Sequence, residues 1–354
     1  YYSDYLFDYP YPVAWSIHAD NLGMEFPMIC FNWGRPEADG TYTSREKYYL
    51  IGVIIHEIGH NWFPMIVNSD ERQWAWMDES LNSFVQFIVE KKFQRDCPSR
   101  RGEPYKVVSY MKGDKSKMVP IMTNPESIPN LGSNSYTKGT TALNILRETV
   151  MGRELFDHAI KVYANRWKFK HPTPADFFRT MEDASGVDLD WFWRGWFYST
   201  DHVDLAIDNV KLFQIDSGDP EEAAERKRKE RDEKEPTLAK ERNAPLPKRI
   251  DWQPGLKDFY NSPEYDELAV EESARKSFQK FLDGLNDKQR AMLKRTTNFY
   301  VASFRNVGGL VMPIIVRAHY SDNTSELFRL PAEIWRRNSQ RVDKLFVTDK
   351  EIVR

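Results

Sequence analysis

Residues 56–60 read His56-Glu57-Ile58-Gly59-His60, and this pentapeptide constrains the fold more than any other stretch. Its two histidines can act together on a helix, where positions i and i+4 lie on one face. The flanking sequence favours that helix. Thr43 followed three residues later by Glu46 fits a capping box, and the apolar run 48–55 supplies a face to bury. Pro64 is expected to end the helix, because it lacks an N–H and biases the residue before it away from the helical region. A second helix is expected over about 76–92. There Leu81, Phe84, Val85, Ile88 and Val89 recur at helical spacing, and Lys91 and Lys92 sit where the helix dipole favours cations.

Two imidazoles on one helical face can reach one metal ion, and Glu57 beside them is placed to take a proton from a metal-bound water. Two ordinary histidines on a helix would give the same pentapeptide, so further support is needed. Zinc requires a third protein ligand and an open fourth position. Glu79 lies nineteen residues beyond His60, at the start of the second expected helix, within Trp76-Met77-Asp78-Glu79-Ser80. A helix returning antiparallel would bring its carboxylate to the metal. A lone Glu there could instead be a first-turn acid stabilised by the dipole; the upstream motif favours ligation. Asp78 is either a partner that orients a zinc histidine or a helix N-terminal acid. His18, His158, His171, His202 and His319 are scattered and receive no role.

The chain up to about residue 38 is rich in Tyr, Pro and Phe and reads as strands and turns. Further helices are expected over about 138–150, 154–167, 175–184 and 190–198, with Gly152 and Gly186 at helix ends. The cluster Trp191, Trp193, Trp196 and Phe197 reads as helix core. After about residue 200 the character changes. Residues 204–215 alternate like a strand, and 221–242 carry eight acidic and eight basic side chains, as a solvated helix or an unstructured insertion. One amphipathic helix is expected around 271–282. From Phe299 the pattern is β again, with turns at Gly308-Gly309 and Asp322-Asn323, read as a small antiparallel sandwich of hairpins. The expected class is thus α+β, in three stretches: a mainly helical catalytic domain over 1–205, a strand with charged insertion and linker over 206–298, and a partial β-sandwich over 299–354.

Composition narrows the partners. Among 354 residues, 53 acidic and 50 basic side chains leave a net charge of −3, which gives no electrostatic footprint for nucleic acid. Only Cys30 and Cys97 are present, which excludes a disulfide scaffold and an all-cysteine zinc site. No apolar run approaches the roughly 18–20 residues of a membrane span. The chain opens at Tyr1 without Met and is expected to be a fragment or processed form.

Together, the pentapeptide with Asn61-Trp62-Phe63, then Glu79 within Trp76-Met77-Asp78-Glu79, resembles the M1 family of zinc aminopeptidases. Two other family elements stand in the same order. Leu22-Gly23-Met24-Glu25-Phe26 resembles the exopeptidase motif, and Tyr136-Thr137-Lys138-Gly139 resembles the tyrosine element. The resemblance covers roughly residues 1–200. It implies a thermolysin-like catalytic domain followed by a small β-sandwich, and one Zn2+ per chain held by His56, His60 and Glu79. Glu57 would be the general base and Tyr136 would donate a hydrogen bond to the oxyanion. Glu25 would pair with the substrate α-ammonium, beside backbone at Gly23 and Met24 that runs along the substrate like an edge strand. The sequence departs from the family pattern at Phe26-Pro27, where an Asn is usual after Met-Glu, at Ser80, where a Gly is usual after the ligand Glu, and at Pro64-Met65, where Gly-Asn is usual. The resemblance also leads to the expectation that the family's N-terminal β-domain is missing from this chain, as is the large C-terminal helical domain of many members.

Three readings follow. The first is an aminopeptidase acting on peptides with a free N-terminus. The second is an endopeptidase of the same zinc class, which would need no anionic anchor such as Glu25. The third is a catalytically silent scaffold, which would usually have lost a ligand or the base. Similarity to bacterial members with the Gly-Met-Glu-aromatic-Pro variant implies a secreted or cell-envelope location. Oligomeric state and the preferred N-terminal residue leave no signal in the sequence.

Overall fold

The structure is a computed structural model that describes residues 1–353. It opens with a single helical turn, α1 (Tyr2–Tyr5), within a stretch expected to be strands and turns. Three short strands follow: β1 (Trp15–His18), β2 (Gly23–Phe26) and β3 (Ile29–Asn32). Their order is β1-β3-β2, with β1 parallel and β2 antiparallel to β3, so β2 pairs on one side only.

Helix α2 (Ser44–Gly59) begins where the capping box places it. Thr43 accepts from the Glu46 N–H, and the Glu46 carboxylate accepts from the Thr43 N–H at 2.6 Å. It ends five residues before Pro64, earlier than expected. Pro64 instead lies inside a wide helical turn, Asn61–Ile66, at whose Phe63 the backbone leaves helical geometry. Helix α3 (Ala75–Phe93) lies against α2 and buries Leu81, Phe84, Val85 and Ile88, while Val89, the fifth periodic position, is half-buried against the same core. After a single turn, α4 (Val108–Met111), wide turns at Gly132–Lys138 lead into α5 (Gly139–Ile145). Then come α6 (Arg153–Trp167), α7 (Pro174–Ser185) and α8 (Asp190–Tyr198). Gly152 and Gly186 stand at helix ends with positive φ. Trp193, Trp196 and Phe197 are buried in one aromatic core; the Phe197 and Trp76 rings are 4.8 Å apart, and those of Trp193 and Phe178 4.6 Å apart.

Strand β4 (Leu205–Gln214) precedes the charged run, which is helical: α9 (Pro220–Glu233) and α10 (Leu238–Asn243). After a short turn α11 (Arg249–Trp252) comes α12 (Glu272–Asp283), packed on α9 through Arg275 and Glu221 at 2.7 Å. An unforeseen helix, α13 (Asp287–Leu293), follows. The closing strands are β5 (Asn298–Asn306), β6 (Ile314–His319), β7 (Ser325–Leu330) and β8 (Arg341–Thr348). They form one sheet in the order β4-β5-β8 and a separate pair, β6-β7. The hairpin expected across Gly308-Gly309 is not formed. The backbone there pairs with residues 202–204 instead: the His202 N–H donates to Gly308 O and the Leu310 N–H to His202 O. Local turn chemistry is satisfied equally by either partner, so it did not decide the pairing.

Two compact units emerge: residues 1–208, 303–317 and 326–343 in the first, and 209–302, 318–325 and 344–354 in the second. Among the described residues no helix is long and apolar enough to cross a membrane, and both cysteines are buried and unbridged.

The close contact of α2 with α3 depends on Gly59. A methyl group there would collide with the Tyr2 hydroxyl and the Asn82 amide, which hydrogen-bond each other at 3.1 Å. Asn82 also donates to the His56 carbonyl at 2.8 Å. Gly59→Ala is expected to destabilise the chain by about 1–3 kcal/mol through overpacking. The check is the thermal unfolding midpoint; an unchanged midpoint would mean that Tyr2 and Asn82 yield freely.

Candidate functional site

His56 and His60 project from adjacent turns of α2 onto one face, with ring centroids 4.5 Å apart. Each Nδ1 meets a fixed acceptor. His56 Nδ1 is 2.9 Å from Gln86 Oε1, and the Gln86 amide nitrogen donates to Gly52 O and to Glu90, which orients the amide. His60 Nδ1 is 2.9 Å from both Asp78 Oδ1 and the Phe63 carbonyl. Both Nδ1 atoms therefore carry hydrogen, and both Nε2 atoms turn inward.

Glu79, in the first turns of α3, meets them. Its Oε2 is 3.2 Å from His56 Nε2 and 3.7 Å from His60 Nε2, and the two Nε2 atoms are 3.1 Å apart. Glu79 Oε2 is buried and receives no hydrogen bond among the described residues. Three acceptor atoms so close repel unless a cation lies among them. A proton can do this: burial lowers the His60 pKa, but the Asp78 carboxylate more than reverses this and raises it to about 10. His56, by contrast, is pushed down to about 4, chiefly by burial and then by the charge of His60. A divalent cation would displace that proton and satisfy all three atoms at once. Ligands at about 2.0–2.1 Å on a tetrahedral zinc lie about 3.3 Å apart, and two imidazoles with one carboxylate suit zinc. The donor set and its spacing fit the metal.

Glu57 lies one position round the helix, facing β2. A Cβ on Gly23 would stand 2.9 Å from Glu57 Oε1, so only glycine lets β2 approach this closely. The Glu57 carboxylate accepts no hydrogen bond among the described residues, and burial raises its pKa to about 7. Glu25 follows on the same face of β2. Carboxylate oxygens of Glu25 and Glu57 and a ring nitrogen of His60 lie within 4.8 Å of one another. Burial raises the Glu25 pKa as well. Asn61 fixes the turn that follows this strand to the end of α2: its Oδ1 accepts from the Met28 N–H at 2.9 Å, and its Nδ2 donates to the Ile58 carbonyl at 2.9 Å. Met24 is exposed on β2, whose outer edge has no strand partner among the described residues.

Tyr136 comes from the wide turns before α5. Its hydroxyl donates to Glu79 Oε1, its ring stacks on His56 at 5.9 Å, and the Arg101 guanidinium lies 4.4 Å above it. In this structure the hydroxyl thus rests on the carboxylate of the candidate metal site. The structure brings Glu25, His56, Glu57, His60, Glu79 and Tyr136 into one cluster, with Gly23 and Met24 beside it. Sequence reasoning gave no role to Gln86, Asn82, Asn61 or Arg101. Gln86 stands seven residues after Glu79, two helical turns on, and that spacing could have flagged it; Arg101 lies in a loop and leaves no periodic signal.

A sequence profile described as the peptidase family M1 domain matches residues 2–196. "Probable aminopeptidase 1" of Sulfurisphaera tokodaii is 26% identical over 234 residues, 60% of this chain and 29% of that protein. The human "Glutamyl aminopeptidase" is 26% identical over 174 residues, 48% of this chain and 18% of that protein. The chain therefore spans less than a third of the length of these relatives. Among solved structures, an M1 zinc metallopeptidase from Deinococcus radiodurans superposes with a TM-score of 0.44 at 17% identity, covering 57% of this chain and 43% of that one.

Proposed function

The chain belongs to peptidase family M1, and from that premise we propose that it is a zinc aminopeptidase, releasing the N-terminal residue of peptides by attack of water on the first peptide bond. The observation that carries this reading is one cluster: two inward Nε2 atoms and the Glu79 carboxylate at metal-ligand spacing, with Glu57 and Glu25 beside them. We read residues 1–205 as a thermolysin-like catalytic domain and 299–354 as part of a β-sandwich.

His56, His60 and Glu79 would hold one zinc ion. When bound, it lowers the pKa of its water and polarises the scissile carbonyl. Glu57 takes the proton of the attacking water on its free carboxylate and delivers it to the leaving amine. A base whose pKa lies near the working pH serves both transfers. The Tyr136 hydroxyl swings from Glu79 to donate to the carbonyl oxygen as negative charge develops there. The Glu25 carboxylate binds the substrate α-ammonium, and the open edge of β2 pairs with the substrate backbone. Because Glu25 stands so close to Glu57 and His60, an ammonium bound there leaves room for a single residue before the reacting bond. That argues for an aminopeptidase over an endopeptidase.

The test is hydrolysis of fluorogenic aminoacyl amides and their N-acetylated forms, with and without a chelator. Cleavage of the free-amine forms only, lost with chelator and restored by zinc, is expected; cleavage of blocked substrates would replace this reading with an endopeptidase. Glu25→Ala is expected to lower kcat/KM on free-amine substrates about 10²–10³-fold, the effect of removing one partner from a buried charge pair. Retained activity would remove Glu25 as the amine anchor.

A further inference from the structure

A groove of about 650 Å3 leaves the site in the direction opposite to Glu25. One wall is a single stripe of α2: Arg45, Tyr49, Gly52, Val53, His56 and Glu57. Glu25 lies by His60, at the C-terminal end of this helix, so a substrate anchored there by its amine extends past Glu57 and along the groove toward the N-terminus of α2. The groove therefore receives the residues on the leaving side of the scissile bond.

Its lining is unusual in charge. Arg45, Arg100 and Arg101 all face it, and among the described residues none of their side chains forms an ion pair or donates a hydrogen bond. Two of them stand over aromatic rings instead. Arg101 stands 4.4 Å above Tyr136, and Arg100 4.9 Å above the ring of Tyr49. A cation–ring contact attracts a guanidinium without consuming its N–H donors, which stay available for a planar carboxylate. The carboxylates lining the groove are Glu57 and Glu90, fewer than the arginines. Glu90 is buried and already accepts from Gln86 at 2.7 Å. The positive end of the α2 dipole adds to the same field.

We propose that this groove selects peptides with an acidic residue just beyond the scissile bond, that Arg101 binds that carboxylate, and that Arg100 adds positive charge farther along the groove. Spacing sets the order. Arg101 stands over Tyr136 and meets the first leaving residue. Tyr49, under Arg100, lies eight residues up α2 from Glu57, about 12 Å at 1.5 Å per residue, which an extended peptide at about 3.4 Å per residue covers with three or four residues. Arg100 therefore acts on the first leaving residue through its field, from farther along the groove.

This inference rests on the aminopeptidase reading, and it is tested by binding as well as turnover. The probes are Leu-Glu-NH2, Leu-Gln-NH2 and Leu-Lys-NH2, whose blocked C-termini leave the second side chain as the only difference. Binding is measured at equilibrium on zinc-loaded Glu57→Gln protein, in which turnover is suppressed. The Glu peptide is expected to bind about tenfold more tightly than the Gln peptide, the scale of one charge-assisted bidentate pair, with Lys weakest. Adding Arg101→Gln is expected to bring the Glu/Gln ratio to about two or below, and Arg100→Gln to lower it by less. Arg101→Lys, which keeps the charge and loses the fork, is expected to fall between. No binding of Leu-Glu-NH2, a Glu/Gln ratio near one, or a ratio unchanged in both glutamine variants would each overturn the inference. A preserved ratio in binding, without cleavage of any of the three by the unsubstituted protein, would uphold it and overturn the aminopeptidase reading instead.

Discussion

Glu57→Gln is expected to leave zinc bound and to lower kcat by about 10³-fold or more, within the range that a positioned general base contributes. The substitution preserves shape and removes only the ability to take a proton. Its surroundings make it a clean experiment. The Glu57 carboxylate has no hydrogen-bond partner among the described residues, so no supporting network collapses with it. Burial, the cause of its raised pKa of about 7, would favour the neutral amide. Zinc content and peptide affinity should therefore be close to those of the unsubstituted protein while turnover is lost. Steady-state kinetics beside metal analysis make the distinction. Activity retained within tenfold would show that water is deprotonated by some other group; zinc lost together with activity would show that Glu57 acts through the metal site.

Glu79→Ala is expected to abolish stoichiometric zinc binding. Without it the metal site keeps two imidazoles, and the Tyr136 hydroxyl loses its acceptor. The fall in affinity should exceed the 10–100-fold that removal of a group supporting a ligand produces. Asp78→Asn is the internal comparison, because Asp78 touches His60 Nδ1 and stands outside the ligand set. It should fall within that lower range. The measurements are zinc content after dialysis and competition with a chelator of known affinity. Thermal unfolding gives an independent readout. Zinc at 1,000 times its dissociation constant stabilises a folded protein by about 4 kcal/mol. Added zinc should therefore raise the unfolding midpoint of the unsubstituted chain and leave that of Glu79→Ala unmoved. Tight zinc binding by Glu79→Ala would transfer the third position to another carboxylate, and Glu25 and Glu57, which both lie by His60, are the candidates.

What the sequence determined by itself was local or periodic. The Thr43–Glu46 cap, the four-residue spacing of His56 and His60, and the buried stripe of α3 are properties of one helix each, set by backbone geometry and legible without knowledge of any distant partner. Even the meeting of Glu79 with the two histidines was within reach, because a turn-containing connection lets the next helix return antiparallel beside the first. The tertiary structure decided everything that depends on which distant groups meet. It set β1 parallel to β3 and left β2 at an open edge, a choice that alternation alone does not encode. It ended α2 before Pro64, where the turn of Asn61–Ile66 aims the Phe63 carbonyl back at His60. It chose residues 202–204 over a local hairpin as the partner of Gly308-Gly309. It placed Gln86 and Asp78 behind the histidines, orienting both rings, and laid Arg101 on Tyr136 from a loop 35 positions away. A single helix repeats every 3.6 residues and announces its own faces; a loop arginine, an amide behind an imidazole or an unpaired strand edge acquires its meaning only from the surface it meets.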